Sequence, residues 1–198
     1  MRAFKRFRKS GFTLVELMIV VAIIGVLAAL AIFGVRRYLA STKTSEAKNT
    51  LGNLARAAVA AYERENVGSQ LLGDQGSSAT TMHVLCDTST PVPAGAPPAG
   101  VKYQPSTQAN TDYDTGGPLL GWRCLKFTMT QPHYYQYQYT KGNSWAGTVA
   151  VPATGFEVGA KGDLDADGAV FGQFSRAGDV RNGEVVVATQ VEVQNEYE

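Results

Sequence analysis

The sequence predicts an α+β protein, with one long N-terminal α-helix packed on an antiparallel β-sheet. Three observations predict it. Leu17 to Val35 is an unbroken run of 19 apolar or glycine residues. Beyond it, Leu51, Leu54, Ala55, Ala58 and Tyr62 fall on one helix face, at i, i+3, i+4, i+7 and i+11. After Gly121 the period shortens to that of strands, in brief alternating runs separated by Gly, Pro or Asn with no helical segment between them.

The averages look ordinary: 198 residues, 44% hydrophobic, 18 Lys+Arg against 17 Asp+Glu and a net charge of +1. That balance excludes a basic nucleic-acid-binding domain and an acidic disordered tail. Two Cys and two His fall short of the four ligands of a usual structural zinc site. The charge is unevenly placed, however. Residues 1–11 carry Arg2, Lys5, Arg6, Arg8 and Lys9 and no acid, so from Phe12 onward 13 Lys+Arg face 17 Asp+Glu, a balance of −4.

Between Phe12 and Val35 the only ionisable side chain is Glu16. A helix of about 20 apolar residues crosses a bilayer core of ~30 Å, so residues 12–35 read as a transmembrane helix. The cationic leader before it stays cytoplasmic by the positive-inside rule, which puts the remainder outside the cytoplasm. A secretory signal would end at a small-residue cleavage site after the apolar run. Here Arg36, Arg37 and Tyr38 follow instead, and the small residue, Gly11, precedes the run. An acid inside such a segment is costly unless paired, which marks Glu16 as a functional residue.

The run Lys9-Ser10-Gly11-Phe12-Thr13-Leu14-Val15-Glu16-Leu17-Met18, continued by IVVAIIGVLAALAI, resembles the class III signal and N-terminal helix of type IV pilins and pseudopilins. The resemblance covers about the first quarter of the chain. It implies cleavage between Gly11 and Phe12 by a prepilin peptidase and N-methylation of the new Phe12 amine. It also implies assembly through Phe12 and Glu16, whose carboxylate offsets the terminal amine of a neighbouring subunit. The chain departs from the family pattern late in the apolar run, where Phe33-Gly34 stands in place of a proline. Gly25 and Gly34 are then the positions where the helix is most easily unwound.

Residues 36–68 continue as an amphipathic helix, with Lys43, Glu46, Lys48, Glu63 and Arg64 as solvated charges and Gly68 as the stop. Residues 69–121 hold six of the eight prolines and read as a loop region. Residues 122–198 read as the sheet. Its expected strands are Trp122–Thr130, Tyr134–Thr140, Thr148–Val151, Phe156–Ala160, Ala169–Ser175 and Glu184–Val193.

Within this head, Cys86 and Cys124 are the only thiols, and in an exported domain they pair as a disulfide joining the Pro-rich loop to the first strand. Asp163, Asp165, Asp167 and Gly168 have the D-x-D-x-D-G spacing that opens a calcium loop, although Phe174 stands where an EF-hand has Glu. The same residues also read as an Asp-rich turn. His83 and His133 are isolated from any catalytic set, and His133 reads as a surface or loop residue beside Pro132. The Tyr-rich stretch 131–145 reads as a well-packed strand, with an adhesive face for glycan or nucleic acid as the second reading.

The resemblance thus implies a non-enzymatic pilus subunit that requires no cofactor, with calcium as the sole candidate. It is held in the inner membrane before assembly and then polymerises with its own kind into an extracellular fibre. The implied partners are the prepilin peptidase, the inner-membrane assembly machinery and other pilin subunits, and the implied roles are motility and adhesion. A type II secretion pseudopilin and a minor pilin are the alternatives within the family. A membrane-anchored periplasmic enzyme or binding protein is the remote one.

Overall fold

The computed structural model describes residues 11–64 and 83–197. It divides into two compact units, Met1–Ala40 and Ser41–Glu198. Helix α1, Leu14–Glu63, contributes its first part to one unit and its second part to the other. It runs unbroken through Gly25 and Gly34. The expected stop at Asn66–Gly68 lies outside the described residues. At Glu63 the helix gives way to Arg64, whose guanidinium donates to the Ala60 carbonyl at 3.2 Å and to the Cys124 carbonyl at 2.6 Å. A cation there satisfies carbonyls that the last helical turn leaves open.

In the second unit, every member of the predicted helical stripe is buried: Leu51, Leu54, Ala55, Ala58 and Tyr62, joined by Ala47 and Ala61. Opposite lies a five-stranded antiparallel sheet: β1 Gln136–Lys141, β2 Gly155–Gly162, β3 Gly172–Arg181, β4 Glu184–Val187 and β5 Glu192–Gln194. β1, β2 and β3 are consecutive neighbours, while β4 and β5 pair with successive parts of β3. The inner face carries Tyr137, Tyr139, Phe156, Val158, Ala160 and Phe174, all fully buried in one core with the helix stripe. Phe156 lies opposite Gly178 and its ring fills the space where a Cβ of that glycine would stand.

The outer face is also covered, and this buries side chains that alternation assigns to water. Gln136, Gln138, Thr140, Glu157 and Ser175 are buried there. Part of the cover is the loop 142–154, which takes the place of the strand expected at Thr148–Val151. Trp145 of this loop packs on Gly159, and Lys161 sits 4.4 Å above the Trp145 ring. Glu157 accepts the backbone N–H groups of Trp145 and Ala146. Gln136 and Gln138 donate to the carbonyls of Pro93, Gly95 and Ser89, which fixes the Pro-rich segment along β1.

Further expectations change. Trp122–Thr130 begins as a short helix, α2 Gly121–Leu125, rather than a strand. Trp122 and Leu125 both enter the core at helical i, i+3 spacing, and Lys126 ends the turn in the left-handed region with φ 53°. The disulfide therefore joins Cys86 to α2, with a Cα–Cα separation of 5.8 Å. The tyrosine run keeps its first reading, a well-packed strand, and because Tyr135, Tyr137 and Tyr139 are wholly buried these rings form no adhesive face. Nor is His133 a surface residue, since it is 1% exposed. Its Nδ1 lies 2.5 Å from the Tyr135 carbonyl and its Nε2 lies 3.2 Å from the Tyr113 hydroxyl. A carbonyl only accepts, so Nδ1 carries the proton and Nε2 accepts from Tyr113.

Two predictions follow from this packing. Cys86→Ser with Cys124→Ser opens a bridge between residues 38 apart and lowers stability by about 4 kcal/mol in the chain-entropy account, read as a fall in the urea midpoint of the full chain. Burial pushes the His133 imidazole down to about 4 from 6.5. The unfolded chain therefore takes up a proton that the native state refuses, and stability falls as the pH drops from 6.5 towards 4. The loss is on the order of 3 kcal/mol, and His133→Gln is expected to remove it, read as a flatter dependence of the urea midpoint on pH between 6.5 and 4.

Candidate functional site

The expected processing and assembly residues lie together at the start of α1. Gly11 and Phe12 precede the helix in extended or irregular backbone, and Phe12 is 82% exposed. Thr13 is the residue immediately before the first turn. Its hydroxyl accepts the Glu16 N–H at 3.2 Å, while Glu16 Oε2 accepts the Thr13 N–H at 2.9 Å and the Thr13 hydroxyl at 2.8 Å. This is a capping box, a reciprocal arrangement that satisfies donors a helix start otherwise leaves open. Thr13 was missed as a functional residue, although the signal was present: Thr-x-x-Glu directly before an apolar run.

All three bonds use Oε2 or the Thr13 hydroxyl, so Glu16 Oε1 takes no part in the box. Beyond Glu16 the helix presents Leu17, Met18, Ile19, Val21, Ile23, Ile24, Val26 and Leu27, every one more than half exposed. The exposed apolar surface continues through Leu30, Ile32, Phe33 and Val35 to Leu39. Such a surface is stable only in lipid or against other apolar chains. By length and composition the helix can cross a membrane.

The remaining candidates lie in the second unit. Cys86 and Cys124 form the disulfide, and both are buried. Asp163, Asp165 and Asp167 come together, each offering a carboxylate oxygen within 4.8 Å of the others. His83 places Nδ1 3.0 Å from the Tyr62 carbonyl near the end of α1. An open polar groove of about 400 Å³ is lined by Glu46, Asn49, Asn53, Lys102 and Thr128, with His133 at its edge. Both His133 nitrogens are already engaged, so the groove lacks a free general base from that residue.

Residues 6–32 match the family model described as the prokaryotic N-terminal methylation motif. Its span contains Gly11, Phe12, Thr13 and Glu16 together with most of the exposed apolar helix. The chain is 61% identical over 44 residues to the type IV major pilin protein PilA of Myxococcus xanthus, which covers 22% of this chain and 20% of that protein. The amino-terminal segment is similar to that of type IV pilins. Similarity to the fimbrial protein EcpC of Eikenella corrodens is 54% over 44 residues, or 29% of that protein. These two matches therefore span less than a third of their own lengths.

A longer match reaches into the head. The chain is 28% identical over 147 residues to the type IV major fimbrial protein FimA of Dichelobacter nodosus, covering 73% of this chain and 91% of that protein. No solved structure matches. The named relatives are pilus and fimbrial proteins rather than enzymes. The pilin-like segment therefore stands at the head of an α+β chain with one long helix and an antiparallel sheet.

The capping box separates two roles of Glu16. Gln at the same position keeps the reciprocal bonds, whereas Ala removes them. Glu16→Gln is expected to retain slow amide exchange in the first turn of α1 in detergent micelles, and Glu16→Ala to lose it, as followed by NMR.

Proposed function

We propose that this chain is the precursor of a type IV pilus subunit, a structural protein that polymerises through its N-terminal helix. The observation that carries the reading is the exposed apolar surface of α1, most of it within the methylation motif and directly after the capping box. In the membrane, lipid satisfies that face; in a fibre, the same face of neighbouring subunits replaces lipid. Transfer between the two then exchanges one apolar environment for another and exposes little of the helix to water.

In this mechanism a prepilin peptidase cuts after Gly11 and the new Phe12 amine is methylated. The positive amine then stands four residues before Glu16. The carboxylate offsets the amine of a neighbouring subunit, and an incoming helix without this pairing brings an uncompensated charge into an apolar core. Thr13 holds one carboxylate oxygen on the helix start, which leaves the other available to the partner. The subunit waits in the inner membrane with its leader cytoplasmic, passes to the assembly machinery and ends in an extracellular fibre that serves motility or adhesion. The names of its relatives, major pilin and major fimbrial protein, favour a pilus over a secretion pseudopilus.

Mass spectrometry on filaments sheared from the cell surface tests the reading. The expected chain begins at N-methylated Phe12; full-length chains, or no filament containing this protein, would overturn it. Glu16→Gln is expected to insert in the membrane at the normal level and to fail in assembly. Normal filament yield in that variant would remove the charge-pairing role and leave Glu16 with capping alone.

A further inference from the structure

We propose that the loop Asp163–Gly168, between β2 and β3, binds a calcium ion. The proposal stands on this loop's own geometry and does not depend on the filament reading.

Alternating Asp side chains place three carboxylate oxygens within 4.8 Å of one another. Three carboxylates at such range repel, and among the described residues none of them forms an ion pair with Lys, Arg or His. An Asp-rich turn accounts for part of the arrangement. Gly168 N–H donates to Asp163 Oδ2 at 3.2 Å, Asp167 N–H to Asp165 Oδ1 at 3.3 Å, and Ala169 N–H to Asp167 Oδ1 at 2.8 Å. Each of these bonds uses one oxygen of a carboxylate.

Asp163 is the residue that a turn does not explain. It is 2% exposed, and its Oδ1 is buried with no hydrogen-bond donor. A buried carboxylate oxygen without a donor is costly, and a cation shared with Asp165 and Asp167 would satisfy it. The donor set consists of hard oxygens, which suits calcium or magnesium rather than zinc or copper. Calcium fits better, because a site with several carboxylates suits its variable coordination, whereas magnesium requires a near-ideal octahedron and gives up water reluctantly.

Phe174, where a twelve-residue calcium loop would supply a bidentate Glu, is instead buried in the core. Fewer protein ligands mean weak binding, about 0.1–1 mM, the range of extracellular calcium modules. The ion would act as a staple. The Gly100 N–H donates to the Asp163 carbonyl at 2.7 Å, so ordering Asp163 also holds the Pro-rich segment against the end of β2.

The test is calcium titration of the full chain in detergent micelles after removal of divalent ions with chelator, read by calorimetry and by thermal melting. One site of about 0.1–1 mM is expected, with melting raised by several degrees at about ten times that concentration. Asp163→Asn and Asp165→Asn should each abolish the heat and the shift. Asp165 is exposed, so its variant tests binding without disturbing the core. Absence of heat and shift in the parent chain, an undiminished shift in Asp165→Asn, or an equal response to magnesium would overturn the proposal.

Discussion

Burial of the α1 stripe against the aromatic face of the sheet is the interaction on which the head depends. Ala47, Leu51, Leu54, Ala55 and Ala58 are nearly inaccessible, and they share one core with Tyr137, Tyr139, Phe156 and Phe174. The helix supplies small and branched groups while the sheet supplies rings, so the two surfaces interdigitate as close packing requires. Tyr139 stacks on Phe156 with centroids 5.6 Å apart, and Tyr135 meets Phe174 edge-on at 5.4 Å. These contacts place the sheet, and the sheet in turn places every loop that it carries.

The same helix meets two different demands along its length. From Leu17 to Val35 its large side chains are exposed and apolar, and from Thr44 onward one face is buried and the other carries charge. Only the second part can be satisfied by its own chain. The first part needs lipid or other apolar chains around it. Thr13 and Glu16 give its start a defined geometry by closing the first turn on itself.

Much of this organisation could be read in the residues. The stripe Leu51 to Tyr62 obeys helical spacing, and all of its members proved to be core. The strands around Tyr137, Val158 and Phe174 were legible from alternation, although their ends were not. Ala169 was read as strand, but its N–H is held by Asp167 in the preceding loop, so β3 starts only at Gly172. Trp122–Thr130 misled because Leu125, Phe127 and Met129 alternate as a strand does, while the core selected the i, i+3 pair Trp122 and Leu125. His133 misled through its neighbours, since Pro132 suggests a loop but says nothing about whether that loop is covered.

The sequence by itself determined the helix, its apolar and amphipathic halves, the disulfide partners and the spacing of Gly11, Phe12, Thr13 and Glu16, because these are set by local periodicity and by the supply of only two thiols. Tertiary structure alone decided which polar groups are buried. Gln136, Gln138 and Glu157 lie on a face that alternation assigns to water, and they are enclosed only because loop 142–154 and the Pro-rich segment fold over it. It likewise decided that Asp163 is enclosed while Asp165 and Asp167 are open. Burial is a property of what comes to lie opposite a residue, and residues distant in the chain leave no mark in local pattern.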